Sequence, residues 1–244
     1  MVRDSGGVRV LFVHHDANSG SGHVGRSFAG LGAEVESHQV CPEPGRPLGS
    51  GDFPELVRSS HAGCPAFDRI VLFGSRWSAD DAQVAHWVEP EIQFIRAADA
   101  LGIGILGLCF GGQVLSAALG GSVARTEHPE LGWLPVDVNA DGEAAGIEPG
   151  PWLQWHFDAF TIPPGAVELA RSRAGAQAFT RGPHLGLQFH PEADREVLQG
   201  WIADDLDQLV DAGLDAAGLL DATDAHSADA ADRCARLVGR FAGV

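Results

Sequence analysis

The stretch Gly107-Leu108-Cys109-Phe110-Gly111-Gly112-Gln113 decides how the rest of the chain is read. Before it, the apolar run Ile103 to Leu108 has the character of a buried strand, and after it Gln113 to Leu119, rich in Ala and Leu, has that of a helix. Cys109 therefore falls at a sharp strand-to-helix turn, with glycines at 107, 111 and 112 that let the backbone bend and pass close to its neighbours. A thiol at a helix N-terminus feels the positive end of the helix dipole, which favours the nucleophilic thiolate. Two readings follow from this stretch taken alone. One is a nucleophile elbow with sulfur in place of a serine hydroxyl. The other is a glycine-rich turn that buries an inert cysteine.

Upstream, Val8 to His14 is a continuous apolar run, as expected for a parallel strand covered on both faces. A helix over His23 to Leu31 and an alternating strand over Glu34 to Val40 complete a βαβ opening. His14 and His15 fall where they could line the C-terminal edge of the sheet, or serve as loop or partly buried histidines. Residues 41 to 66, rich in Pro, Gly and Ser, read as a long connection with one short helix near Glu55 to Ser60. Arg69 to Phe73 is the next buried strand and runs into Gly74. That end of an open α/β sheet is where ligands bind, so Gly74 either presents a free backbone N–H there or is an ordinary turn glycine. Asp80 to Leu101 is helical in pattern, with Pro90 expected to start a new segment or kink the helix.

Beyond Ser122 the pattern changes. Short strands are expected at Gly132 to Val138, Leu153 to Phe157, Ala166 to Ser172, Ala176 to Arg181 and Leu185 to His190, separated by turn signals and not by crossover helices. This predicts an antiparallel extension of a mainly parallel sheet. The strand ending at His190-Pro191-Glu192 carries chemistry: Pro191 stops the pairing, and Glu192 can reach back to the imidazole, setting its tautomer and stabilising its charged form. The alternative is a His-Pro turn beside a surface glutamate. Residues 193 to 244 read as two or three acidic amphipathic helices broken near Gly213, Gly218 and Thr223 to Ser227.

Composition narrows the function classes. A net charge of −17, from 33 acidic against 16 basic side chains, argues against a nucleic-acid partner or an anionic membrane surface. No apolar run reaches the roughly 20 residues of a membrane-spanning helix. The N-terminus lacks an apolar signal segment, and the four cysteines (41, 64, 109 and 234) form no CxxC pair. Reduced thiols in the cytoplasm are therefore expected, with no disulfide framework and no metal site.

Taken together, the Gly-x-Cys-x-Gly-x-Gln elbow and a His-Pro-Glu about 80 residues later resemble the class I glutamine amidotransferases. Leu131-Gly132-Trp133, Gln154-Trp155-His156-Phe157-Asp158, Pro163-Pro164-Gly165-Ala166 and Gly186-Leu187-Gln188-Phe189 add to the likeness, which covers roughly residues 8 to 195. It is nearest to the stand-alone members similar to the glutaminase domain of GMP synthetase. The resemblance implies a single three-layer flavodoxin-like α/β domain over residues 1–192, with a C-terminal helical extension over 193–244 packed on it. It implies a Cys109–His190–Glu192 triad, an oxyanion hole from the backbone N–H groups of Gly74 and Phe110, and a substrate site drawing on Gln113, Trp155, His156 and Phe157. It requires no cofactor and no metal. The substrate would be L-glutamine or another γ-glutamyl compound, attacked through a cysteine thioester to release ammonia. No ATP-binding P-loop pattern is present, so an acceptor-activating synthetase would be a separate protein. The same triad could instead hydrolyse γ-glutamyl amides or peptides with water as acceptor. A non-catalytic binding or regulatory role is the third reading, and the intact Cys109, His190 and Glu192 argue against it. The chain departs from the pattern at the oxyanion loop, where relatives often read Gly-Gly-Pro and this chain reads Phe73-Gly74-Ser75, and at Phe157, where several relatives have a small residue.

Overall fold

The computed structural model describes residues 7–58 and 64–243. In chain order the elements are β1 (Arg9–His14), α1 (Gly22–Gly30), β2 (Glu34–Gln39), β3 (Arg69–Leu72), α2 (Ala85–Ala100), β4 (Gly104–Leu108), α3 (Phe110–Ala118), β5 (Val123–Val138), α4 (Ala140–Ala144), β6 (Gly150–Phe160), β7 (Val167–Ser172), β8 (Gly175–Arg181), β9 (His184–Leu187), α5 (Arg195–Asp211) and α6 (Ala216–Ala242). The strands form one nine-stranded sheet in the order β2-β1-β3-β4-β9-β8-β7-β5-β6. The first five neighbours run parallel and the remainder antiparallel. This is the expected flavodoxin-like α/β architecture with an antiparallel extension.

The two-residue period of a strand explains the three layers. Leu11, Val13, Ile70, Leu72 and Ile105 face one way and pack on Trp87, Val88, Ile95, Val114 and Leu115 of α2 and α3. Val10, Phe12, Val71, Leu106 and Leu108 face the other way and meet Val24 and Phe28 of α1 and Cys234, Leu237 and Val238 of α6. Apolar side chains on both faces are why β1, β3 and β4 read as unbroken hydrophobic runs. β2 is an edge strand and mostly exposed, Val35 included. A smaller cluster built on Leu153, Ala193, Leu198, Leu209 and Leu219 fastens α5 and the start of α6 beside β6.

Four local expectations are corrected. No helix forms over the described part of Glu55 to Ser60; Val57 instead bridges antiparallel to Pro65, and positions 59 and 60 lie outside the described residues. α2 runs on through Pro90, which rules out the new-segment arm of that expectation. β9 stops at Leu187, three residues before His190, which makes only an isolated bridge to Leu153. α6 is continuous across Gly218 and Thr223 to Ser227. There the Gly218 N–H is capped by Asp215, and the Thr223 hydroxyl donates back to the Leu219 carbonyl while accepting the Trp133 indole N–H. Helix-breaking residues are thus satisfied locally and absorbed. Strand β5 is also longer than expected: its start, Val123–Arg125, pairs with β6 before a register shift that ends at Glu130.

The elbow depends on close backbone approach. A Cβ on Gly111 would lie 2.2 Å from the Leu72 carbonyl oxygen, and one on Gly112 would lie 2.4 Å from that of Leu187. Helix α3 can therefore press its first turn against β3 and β9 only because these positions carry no side chain. Both clashes are with backbone, which cannot rotate away. Gly112→Ala is expected to destabilise the fold by about 3 kcal/mol, the upper part of the usual range for an overpacked core. Urea unfolding monitored by tryptophan fluorescence would test this; a loss under about 0.5 kcal/mol, the size of a bland surface change, would show that the contact is not tight.

Candidate active site

Cys109 sits at the junction of β4 and α3 with φ 49° and ψ −107°, the single non-glycine residue with positive φ among the described residues. Such a backbone is costly, and it persists only where the surroundings over-determine it. Here the Cys109 N–H donates to the Leu187 carbonyl, its carbonyl accepts from Gln113 N–H, and the Gly111 N–H donates to the Phe73 carbonyl. The sulfur is buried. It lies 3.8 Å from the Trp155 carbonyl oxygen and 3.6 Å from Nε2 of Gln188.

Because β9 is the parallel neighbour of β4, the chain leaving it passes directly over the elbow. His190 is held there by its N–H to the Leu153 carbonyl and by packing on Trp201, with ring centroids 4.6 Å apart. Its Nδ1 is 2.7 Å from Oε1 of Glu192, and both side chains are almost wholly buried. The ring's Nε2 is buried with no hydrogen-bond partner among the described residues. Burial by itself lowers the His190 pKa, but the charge of Glu192 and that of Cys109 outweigh it, and the imidazole is pushed up to about 10. A carboxylate fixes one ring nitrogen, and the other is left facing the site.

Gly74 adjoins both groups: a Cβ there would be 3.0 Å from Cε1 of His190 and 3.8 Å from Cβ of Cys109. The backbone N–H groups of Gly74 and Phe110 have no protein partner among the described residues. Gln113 is buried; its amide donates to the Asp158 carbonyl at 3.3 Å and to Oε1 of Gln188 at 3.4 Å. Trp155 contributes its carbonyl near the sulfur and anchors its indole N–H on Gln208 of α5. His156 has both ring nitrogens occupied, by the Asp158 carbonyl and by Glu130, so it braces the wall of the site. Phe157 lies under the Arg125 guanidinium at 4.7 Å.

These groups open into one cavity of about 640 Å³. Its outer wall includes Arg76, bonded to Asp205 at 2.6 Å, and Arg125, 3.7 Å from Asp158, together with Trp201 and Gln208 of α5. The fold thus gathers the candidate residues around one space, apart from Phe110, whose ring lies in the core beside the elbow. It adds Gln188, a member of the sequence motif to which the sequence alone assigns no part, and the α5 residues, whose only signal is an apolar stripe. Cys41 and Cys234 are buried away from the cavity lining and their thiols are pushed up to about 12 by burial, so they lack the setting of Cys109. Among the described residues there is no cluster of three or more His, Cys, Asp or Glu able to hold a metal ion, and no helix is long and apolar enough to cross a membrane.

The family model described as glutamine amidotransferase class-I matches residues 58–206. The GMP synthase (glutamine-hydrolyzing) of Aeropyrum pernix is 37% identical over 113 residues, covering 42% of this chain and 22% of that protein. A glutamine-hydrolyzing GMP synthase subunit from Ignicoccus hospitalis is 33% identical over 94 residues, covering 36% of this chain and 50% of that one. The chain thus spans about a fifth of the length of a full GMP synthase that it matches. A crystal structure of a glutamine amidotransferase from Thermotoga maritima has a TM-score of 0.83 at 25% identity, covering 97% of this chain and 99% of that one.

The His190–Glu192 pair carries a stability signature. Its imidazole binds a proton more tightly in the folded state than at the ordinary histidine value of 6.5, so its contribution is complete below pH 6.5 and is lost as pH rises through about 10. The melting-temperature advantage of wild type over Glu192→Gln is therefore expected to be largest near pH 6 and to shrink toward pH 10, measured by calorimetry. A gap that widens with pH would contradict the pairing.

Proposed function

The chain belongs to the class-I glutamine amidotransferases, and on that premise we propose that it hydrolyses the side-chain amide of glutamine through a thioester on Cys109. The observation that carries this reading is the convergence, at one cavity, of a strained elbow thiol and a buried imidazole–carboxylate pair. His190 takes the thiol proton, and the Cys109 sulfur attacks the amide carbon. His190, kept cationic by Glu192, then delivers the proton to the departing ammonia. Water, deprotonated by the same Nε2, attacks the thioester and releases glutamate. Both tetrahedral species carry an oxyanion, which the Gly74 and Phe110 N–H groups receive. One such donor contributes roughly 3–4 kcal/mol to lowering the barrier. Gln113, bonded to the Asp158 carbonyl, fixes the Trp155 to Asp158 backbone that faces the amino-acid end of the substrate.

Ammonia then passes to an acceptor activated by a separate synthetase protein; the likeness to a relative named as one subunit of GMP synthase supports this arrangement. A second reading, γ-glutamyl amide hydrolysis with water as the acceptor, is favoured by one observation. The cavity, about 640 Å³, is within the range that takes drug-sized ligands and larger than a free amino acid fills.

Glutamate release, with ammonia from glutamine and with the free amine from a panel of N-substituted γ-glutamyl amides, would test both readings. Wild type is expected to turn over at least one of them, and Cys109→Ala to lose more than about 10³-fold in kcat. A preference for the larger amides selects the second reading. No turnover of any substrate, repeated with candidate synthetase partners, and no labelling of Cys109 by a glutamine-like electrophile would sink both.

A further inference from the structure

Behind the Phe73-Gly74 peptide, on the far side from His190, lies a second imidazole–carboxylate pair. His15 follows directly on β1 and is completely buried, as is Glu91 of α2. The His15 Nε2 is 2.8 Å from Oε1 of Glu91, and its Nδ1 is 2.9 Å from the Phe73 carbonyl oxygen. The ring is wedged between Trp87 and Phe110. The Phe73 oxygen can only accept, so Nδ1 carries a proton, and a further proton lies between Nε2 and Glu91. Burial works against a charged imidazole here, but Glu91 outweighs it and raises the His15 pKa.

We propose that the His15–Glu91 pair is a positioning device that holds the Phe73–Gly74 peptide so that the Gly74 N–H is aimed at the substrate oxyanion. The peptide is trans, as no cis bond occurs among the described residues, and in a trans unit the carbonyl and the N–H point in opposite directions. Securing the Phe73 carbonyl from the core side therefore directs the Gly74 N–H away from the core. Gly74 itself lies against His190 and Cys109 on that opposite side. Gly74, with no Cβ, does little through its own φ to resist a flip of this peptide. The loop's other tethers come largely from the same end of β1: Phe73 N–H to the Val13 carbonyl, Arg76 N–H to the Asp16 carboxylate, and the His14 ring stacked on Phe73 at 4.5 Å. One more comes from the elbow, where the Gly111 N–H shares the Phe73 oxygen. A role in stability alone accounts poorly for the pair. Buried ion pairs are often matched by apolar replacements, and here Oε2 of Glu91 is buried with no partner among the described residues.

This inference rests on the amide-hydrolase reading, and two amide substitutions at His15 test it. The nitrogen of His15→Asn falls near the place of Nδ1 and can still donate to Phe73. The longer His15→Gln reaches Glu91 in place of Nε2 and leaves the Phe73 oxygen only the Gly111 N–H. Cys109 labelling would be timed with two reagents: a chloromethyl-ketone analogue of glutamine, whose carbonyl becomes an oxyanion on attack, and iodoacetamide, which forms none. Relative to wild type, the ratio of the two rates is expected to fall about tenfold or more in His15→Gln and to stay within about threefold in His15→Asn, on the scale set by loss of an oxyanion donor. For whichever γ-glutamyl amide the enzyme turns over, kcat should fall with the ratio while KM stays within about threefold, the signature of an interaction made in the transition state. If His15→Gln does not fold, the double variant His15→Leu/Glu91→Met, which removes the donor without stranding a charge, takes its place with the same expectation. An unchanged ratio in the folded variant, or an equal fall in both labelling rates, would overturn the proposal. Wild-type turnover is scored separately: its absence counts against the hydrolase reading, while the labelling ratio still decides the role of His15.

Discussion

The positive-φ backbone at Cys109 is the constraint on which the site depends. A β-strand delivers its side chains alternately to the two faces of the sheet, and a helix buries much of its first turn, so neither would present a thiol at the end of the sheet. The turn at φ 49° does so, and it is held by hydrogen bonds to its two neighbouring strand ends, Leu187 at the end of β9 and Phe73 after β3. Those bonds require α3 to lie almost in backbone contact with the sheet, which is why Gly111 and Gly112 have no room for a Cβ. Strain at one residue is thus offset by close packing at its neighbours.

The order of strands turns this local geometry into a site. β4, β3 and β9 are adjacent in the sheet although β9 comes some 80 residues after the elbow in sequence. Their C-terminal ends therefore lie side by side, bringing Cys109, Gly74 and His190 together. The antiparallel extension supplies the next layer. Leu153 on β6 receives the His190 N–H, and Trp155, two residues on and so on the same strand, turns its carbonyl to the sulfur and its indole toward α5. α5 closes the wall with Trp201 and Gln208, so a helix well outside the sheet bears directly on the histidine.

Much of this was legible in the sequence because it was written in short-range patterns. Continuous apolar runs marked the parallel strands, Gly-x-Cys-x-Gly the elbow, and His-Pro-Glu an imidazole with its carboxylate two residues away. What was not legible depended on distant partners. The start of β5, Val123-Ala124-Arg125, is largely exposed, and it is a strand because β6 lies beside it. α6 survives Gly218 and Thr223 because Asp215, Leu219 and Trp133 satisfy their polar groups. His15 shows the limit most clearly. Its neighbour in sequence, His14, has the same side chain, yet the alternation of β1 turns one ring onto Phe73 and the other into the core beside Glu91, 76 residues away.

Two buried imidazole–carboxylate pairs therefore flank one peptide, and the difference between them is instructive. In both, a carboxylate raises the histidine pKa against the effect of burial. His15 spends its second nitrogen on a backbone carbonyl, so its proton has nowhere to go and the ring can only hold a geometry. His190 leaves its second nitrogen without a partner among the described residues, at the edge of a cavity, so its proton can move. The same two side chains, in the same buried state, are suited to positioning or to proton transfer according to what the remaining nitrogen meets. That distinction follows from hydrogen-bond satisfaction alone. In the proposed mechanism the moving proton belongs to the pair beside Cys109, and the pair behind Gly74 keeps its protons in place.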